Sequence, residues 1–118
     1  MKNIAQDIFR QRLLIEGYYQ ISVDEPVIEK YFTEICGYLH LKMYGKPIIF
    51  SPGGEGKKEN QGYDAFVPLI DSGISVYVWT NKKFVSIILY TCKGFTSKEA
   101  VKFTKNFFKV NELISEEF

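Results

Sequence analysis

Histidine is nearly absent from this 118-residue chain and cysteine is scarce: the imidazole is His40 and the thiols are Cys36 and Cys92. Two cysteines so far apart, with a single histidine, do not make a zinc framework, so no metal ligands are expected. Any Ser/His/Asp triad or Cys/His dyad has to use His40. That residue falls near the end of an expected helix, where a cationic side chain is favourable, and a surface or helix-end role is expected for it. A dominant charge of one sign is also missing. Fifteen Lys and Arg stand against 14 Asp and Glu, a net charge of +1, with no sustained like-charge block. The broad electrostatic footprint of a nucleic-acid or anionic-membrane binder is therefore not there. The longest apolar runs, Phe66 to Ile70 and Ile87 to Tyr90, fall far short of the ~20 residues of a bilayer span. The start MKNIAQDIFRQR lacks the apolar core of a signal peptide. A cytoplasmic protein is expected.

Aromatic residues, by contrast, make up 16% of the chain, with 10 Phe, 8 Tyr and 1 Trp. Such a share serves a dense core, an oligomer interface or a pocket that stacks a flat ligand. The length suits one domain over residues 1–118, large enough to be stable without disulfides or metals. Residues 12–21, RLLIEGYYQI, read as a strand with Leu14, Glu16 and Tyr18 on one face and Leu13, Ile15 and Tyr19 on the other. From Pro26 to about Leu41, apolar residues recur at helical spacing and include Cys36, which is expected to be a buried core thiol. KPIIFSP, 46–52, reads as a short strand, and GGEGKKENQG, 53–62, as a loop that lacks both the Walker and the dinucleotide glycine patterns.

Three strands follow at 63–71, 73–80 and 84–92, joined by Asp71-Ser72-Gly73 and Thr80-Asn81-Lys82-Lys83. Thr96-Ser97-Lys98-Glu99 fits a capping box opening a second helix with the stripe Ala100, Val101, Phe103, Phe107 and Phe108, after which 110–114 returns as an edge strand. This order implies an α+β two-layer sandwich, a mainly antiparallel sheet with two one-sided helices on one face. Ile74, Val76 and Val78 would meet the helices. Ser75, Tyr77 and Trp79 would then lie on an aromatic, partly polar open face of the kind that forms a subunit interface or a ligand site.

The stretch from Gly62 to Phe95, GYDAFVPLIDSGISVYVWTNKKFVSIILYTCKGF, resembles the self-processing S-adenosylmethionine decarboxylases of bacteria and archaea. In that family an acidic residue precedes the serine at which the chain cuts itself, a tryptophan follows seven residues later, and a Thr-Cys pair comes after the next strand. Here Asp71-Ser72, Trp79 and Thr91-Cys92 stand at those intervals, and LLIEGYY is similar to the family's first strand with its buried glutamate, here Glu16. The resemblance covers roughly 12–115. It implies the matching sandwich fold, a pyruvoyl group formed from Ser72 as a built-in electron sink, and Cys92 as a proton donor. Tyr18, Phe50 and Trp79 are expected as substrate-binding aromatics.

Two positions depart from the family pattern. Where the family carries a histidine that assists collapse of the ester, this chain has Tyr77, and where it carries a serine that supports ester formation, this chain has Asp64. A phenol titrating near pH 10 is a poor general base at neutral pH, whereas an imidazole is well matched. The exchange also adds an acid and a phenol to a site that keeps Glu16, a setting that attracts the fixed positive charge of a sulfonium. The leading expectation is a lyase without a cofactor that cleaves S-adenosylmethionine, or an adduct of it such as a nucleotide-linked one, to a methylthioadenosine-type product. Its catalytic set is Glu16, Asp64 and Tyr77, with Ser72 and Cys92 beside them. One alternative is a pyruvoyl-dependent decarboxylase of S-adenosylmethionine, ornithine or arginine in polyamine synthesis. The other is an inactive ligand-binding or regulatory relative. A homo-oligomer, dimer or trimer, with sites near the interface is expected, and neither nucleic acid nor membrane as partner.

Overall fold

The computed structural model describes residues 1–51 and 61–118. Its elements run β1 (Gln11–Tyr18), α1 (Glu25–Leu39), β2 (Ile48–Phe50), β3 (Gly62–Leu69), β4 (Ser72–Trp79), β5 (Phe84–Thr91), α2 (Ser97–Phe108) and β6 (Leu113–Glu117). The six strands form one antiparallel sheet in the order β2-β3-β4-β5-β1-β6. The expected α+β sandwich is therefore the fold. The loop expected over 53–62 lies outside the described residues except for its last two positions, and Gly62 already opens β3. Among the described residues no helix is long and apolar enough to cross a membrane, and no cluster of three His, Cys, Asp or Glu side chains could hold a metal ion.

Period-two alternation decides which face is buried. Leu13 and Ile15 of β1, Ala65, Val67 and Leu69 of β3, Ile74, Val76 and Val78 of β4, and Val85, Ile87 and Leu89 of β5 are all buried beneath the helices. α1 begins where Asp24 accepts the Val27 N–H at 3.1 Å and Pro26 takes an early position whose missing N–H leaves no carbonyl unserved. It ends at His40, which adopts the left-handed conformation with φ 58°. The histidine is thus exposed at a helix end, as its position suggested. α2 departs from expectation at its start. Thr96 is the N-cap but its side chain makes no capping bond, and Glu99, the other half of the expected capping box, instead accepts the Tyr38 hydroxyl across the helix pair.

The helix–sheet core centres on Tyr31 and Phe108, both fully buried, with ring centroids 4.9 Å apart. The Tyr31 hydroxyl pairs with Thr104 Oγ1 at 2.8 Å, which satisfies two polar groups that burial would otherwise leave without water. Burial raises the Tyr31 pKa above its ordinary value, only partly offset by that hydrogen bond. Where the chain returns from α2 to β6 it passes hard against Gly17. A Cβ there would stand 2.3 Å from Val110 Cγ1 and 2.5 Å from the Glu112 carbonyl oxygen, so only glycine permits the approach.

Burial pushes the Cys36 thiol up to about 11, and the raised value keeps it protonated and unreactive below that pH, whereas Cys92 is exposed. A thiol reagent at pH 8 is expected to label Cys92 rapidly and Cys36 only on unfolding, as read by the mass of the labelled protein with and without denaturant. Prompt double labelling of the native chain would contradict the burial of Cys36.

Candidate functional site on the open face of the sheet

The strand registers bring four of the sequence-derived site residues into one row across the face that the helices do not cover. Phe50 of β2 pairs with Asp64 of β3, Asp64 with Tyr77 of β4, Tyr77 with Ser86 of β5, and Ser86 with Glu16 of β1. Neighbouring strands lie about 4.8 Å apart, so Asp64 and Glu16, with two strands between them, are separated by about 14 Å. Glu16 is half-buried rather than buried, and its carboxylate Oε2 accepts the Ser86 hydroxyl at 2.7 Å. Ser86 was not singled out in the sequence. Its one visible signal is a small polar residue in the apolar strand FVSIIL, on the strand face opposite Val85 and Ile87.

Two residues along each strand, a second row holds Trp79, Phe84 and Tyr18. Phe84, also unremarked in the sequence, is the middle of this row. Its ring centroid lies 5.4 Å from that of Trp79 and 5.4 Å from that of Tyr18. The two predicted aromatics therefore belong to one continuous strip, about 7 Å along the strands from the carboxylate row. Carboxylates beside aromatic faces suit a ligand that joins a cationic centre to a flat ring.

Ser72 and Cys92 are elsewhere. The turn expected at Asp71-Ser72-Gly73 is instead Ile70–Asp71, and Ser72 is the first residue of β4, paired with Leu69. The left-handed residue in that turn is Asp71, at φ 56°, a conformation that Asp tolerates better than most side chains. Ser72 Oγ accepts the Cys92 backbone N–H at 3.0 Å, which ties the two motif residues together. Ser72 nevertheless lies five residues from Tyr77, about 17 Å along an extended strand, with the opposite side-chain parity. One chain thus presents two groups: the row of Glu16, Asp64 and Tyr77, and the strand-end pair of Ser72 and Cys92.

Between them is a shallow cleft of about 310 Å³, walled by Phe66 and Tyr90 and floored by Gly73, Ser75 and Ile88, with Asp71 and Ser72 at its end. Its floor is low because Gly73 has no side chain: a Cβ there would come within 2.5 Å of the Phe66 ring. On the helix side of Ser72 a second cleft of about 340 Å³ is lined by Leu41, Lys42, Leu69, Ile70, Asp71, Cys92 and Lys93.

Comparison with known proteins joins this geometry to a family. The family model for S-adenosylmethionine decarboxylase matches residues 12–118. The chain belongs to the S-adenosylmethionine decarboxylase family. Among solved structures it is similar to the adenosylmethionine decarboxylase from Aquifex aeolicus VF5, at 17% identity and a TM-score of 0.70, over 94% of this chain and 89% of that one. At that identity the likeness speaks for the fold. No curated protein matches the chain.

Ester collapse is served by a base that titrates near neutrality, and no histidine lines either cleft beside Ser72. Tyr77 lies at the far row of the same strand. Among the residues lining the two clefts, then, no imidazole stands beside the serine.

Proposed function

We propose that this protein is a lyase of the S-adenosylmethionine decarboxylase fold that acts without self-processing, cleaving S-adenosylmethionine or a molecule built from it to a methylthioadenosine-type product. The observation that carries the reading is the row of Asp64, Tyr77, Ser86 and Glu16 beside the aromatic strip of Trp79, Phe84 and Tyr18. The sulfonium sits at the carboxylate row and the adenine against the rings. The carbon–sulfur bond on the amino-acid side breaks with its electron pair going to sulfur, which leaves as a neutral thioether. The substrate's own carboxylate oxygen closes on that carbon, giving a homoserine lactone, so the negative and positive charges cancel and no co-reactant is needed. Glu16, fixed by Ser86, holds the cationic centre in place, and Tyr77 orients the chain that must fold back for attack. No cofactor takes part.

The exposed apolar residues of the same face, Ile48, Phe50, Phe66, Tyr90 and Ile114, give the reading its partner: a second copy of this chain covers the face and excludes water from the site.

One contact favours a second reading. The Cys92 N–H bond to Ser72 Oγ brings together the residues that a pyruvoyl-dependent decarboxylase of S-adenosylmethionine, ornithine or arginine would use. Intact mass separates the two. The purified protein is expected as a single species near 13.7 kDa. Two fragments divided between Asp71 and Ser72, the second blocked to Edman sequencing, would overturn the lyase in favour of the decarboxylase.

A further inference from the structure

On the same face of β1 as Glu16, four residues earlier, stands Arg12. It pairs with Tyr90 of β5, one wall of the cleft between Phe66 and Tyr90. Among the described strand residues of the open face it is the one cationic side chain. Its guanidinium has an unusual setting. Nε is buried and has no hydrogen-bond partner among the described residues, and no carboxylate among them forms an ion pair with it. The acid nearest in register on that face, Glu116 of β6, is paired with Leu14. The contact that holds the group is the Phe118 ring, whose centroid lies 5.5 Å from the guanidinium carbon. A planar fork of donors, stacked on a ring and unpaired, is prepared to receive a planar oxyanion.

We propose that Arg12 binds the α-carboxylate of the substrate's amino-acid part; the inference rests on the lyase reading, which supplies the class of substrate. The open face then carries a positive group and a negative group on one strand, with Cα atoms about 13 Å apart. The ligand carries the opposite pair, with its carboxylate toward Arg12 and its sulfonium toward Glu16. That polarity sets the direction in which the substrate lies across the sheet, and it leaves the adenine on the Trp79–Phe84–Tyr18 strip. A guanidinium that holds one carboxylate oxygen also turns the other toward the carbon it attacks. Arg12 is thus a substrate-binding and specificity-determining residue.

Calorimetric titration with two probes tests this: S-adenosylmethionine, and its decarboxylated form, which keeps the sulfonium and the adenosine but lacks the carboxylate. The wild-type protein is expected to bind the first about tenfold more tightly or better. Arg12→Met, which keeps the apolar stem, is expected to abolish that preference by weakening S-adenosylmethionine alone, and Arg12→Lys to restore part of it. The melting temperature of Arg12→Met is expected to be unchanged or higher, because the buried Nε has no partner to lose. Equal weakening of both probes, an unaltered preference, or a wild-type protein that binds both alike would overturn the role of Arg12 while leaving the sulfonium reading intact. Failure of both probes to bind the wild-type protein would overturn both.

Discussion

Glu16→Gln is expected to leave the chain folded and to lower kcat/KM for the adenosylated substrate by about 100-fold, the scale of losing a placed electrostatic contact. Glutamine keeps the shape of the side chain and can still accept the Ser86 hydroxyl through its amide oxygen, a bond that in the native protein spans 2.7 Å. What disappears is the negative charge, so the loss reports on charge and not on packing. Tyr77→Phe, between Asp64 and Ser86 in the same row, is expected to fold and to lose activity on a similar scale. Ser72→Ala removes one hydroxyl and its bond from the Cys92 N–H, at a cost of about 1 kcal/mol in stability, and is expected to keep its activity. Steady-state kinetics with circular dichroism as the folding control checks all three. Full activity in both Glu16→Gln and Tyr77→Phe would show that the reaction takes place elsewhere.

The largest loss of stability is expected from Phe108→Ala. Phe108 is fully buried, 4.9 Å by ring centroid from Tyr31 and 4.9 Å from Phe107, with Tyr19 at 6.4 Å. Truncation removes the ring from the junction of both helices and the sheet and leaves a cavity, which costs about 3–5 kcal/mol. Urea unfolding should show the midpoint falling with little change in slope. A loss under about 1 kcal/mol would mean that the core collapses around the gap, and that the aromatic junction is not the centre of the packing.

The fold was legible because alternation and helical spacing have separate periods, and each strand from β3 to β5 carries its buried aliphatic residues on one face. That same alternation put Tyr77 and Trp79 on the open face before any coordinates. The sequence could not supply register. The alignment of Phe50, Asp64, Tyr77, Ser86 and Glu16 in one row depends on turn lengths and on β1 pairing with β5 rather than with its chain neighbour, and neither follows from local composition. Ser86 and Phe84 were missed for that reason: each acquires meaning only from what lies across the strand. Arg12 was missed because an arginine at a strand start looks like a solvated side chain, and its unpaired Nε exists only once β6 and Phe118 are in place. The family resemblance drew Ser72 and Tyr77 into one catalytic set, whereas an extended strand holds them five residues apart and on opposite faces. The capping box did not form: the Thr96 side chain makes no capping bond, and Glu99 accepts the Tyr38 hydroxyl.

The most direct test of the account is the product formed from S-adenosylmethionine by the purified, unprocessed chain, read by mass spectrometry together with the gas released. Methylthioadenosine and homoserine lactone in equal amounts, without carbon dioxide, are the predicted result. Carbon dioxide with decarboxylated S-adenosylmethionine, abolished by Ser72→Ala, would contradict it.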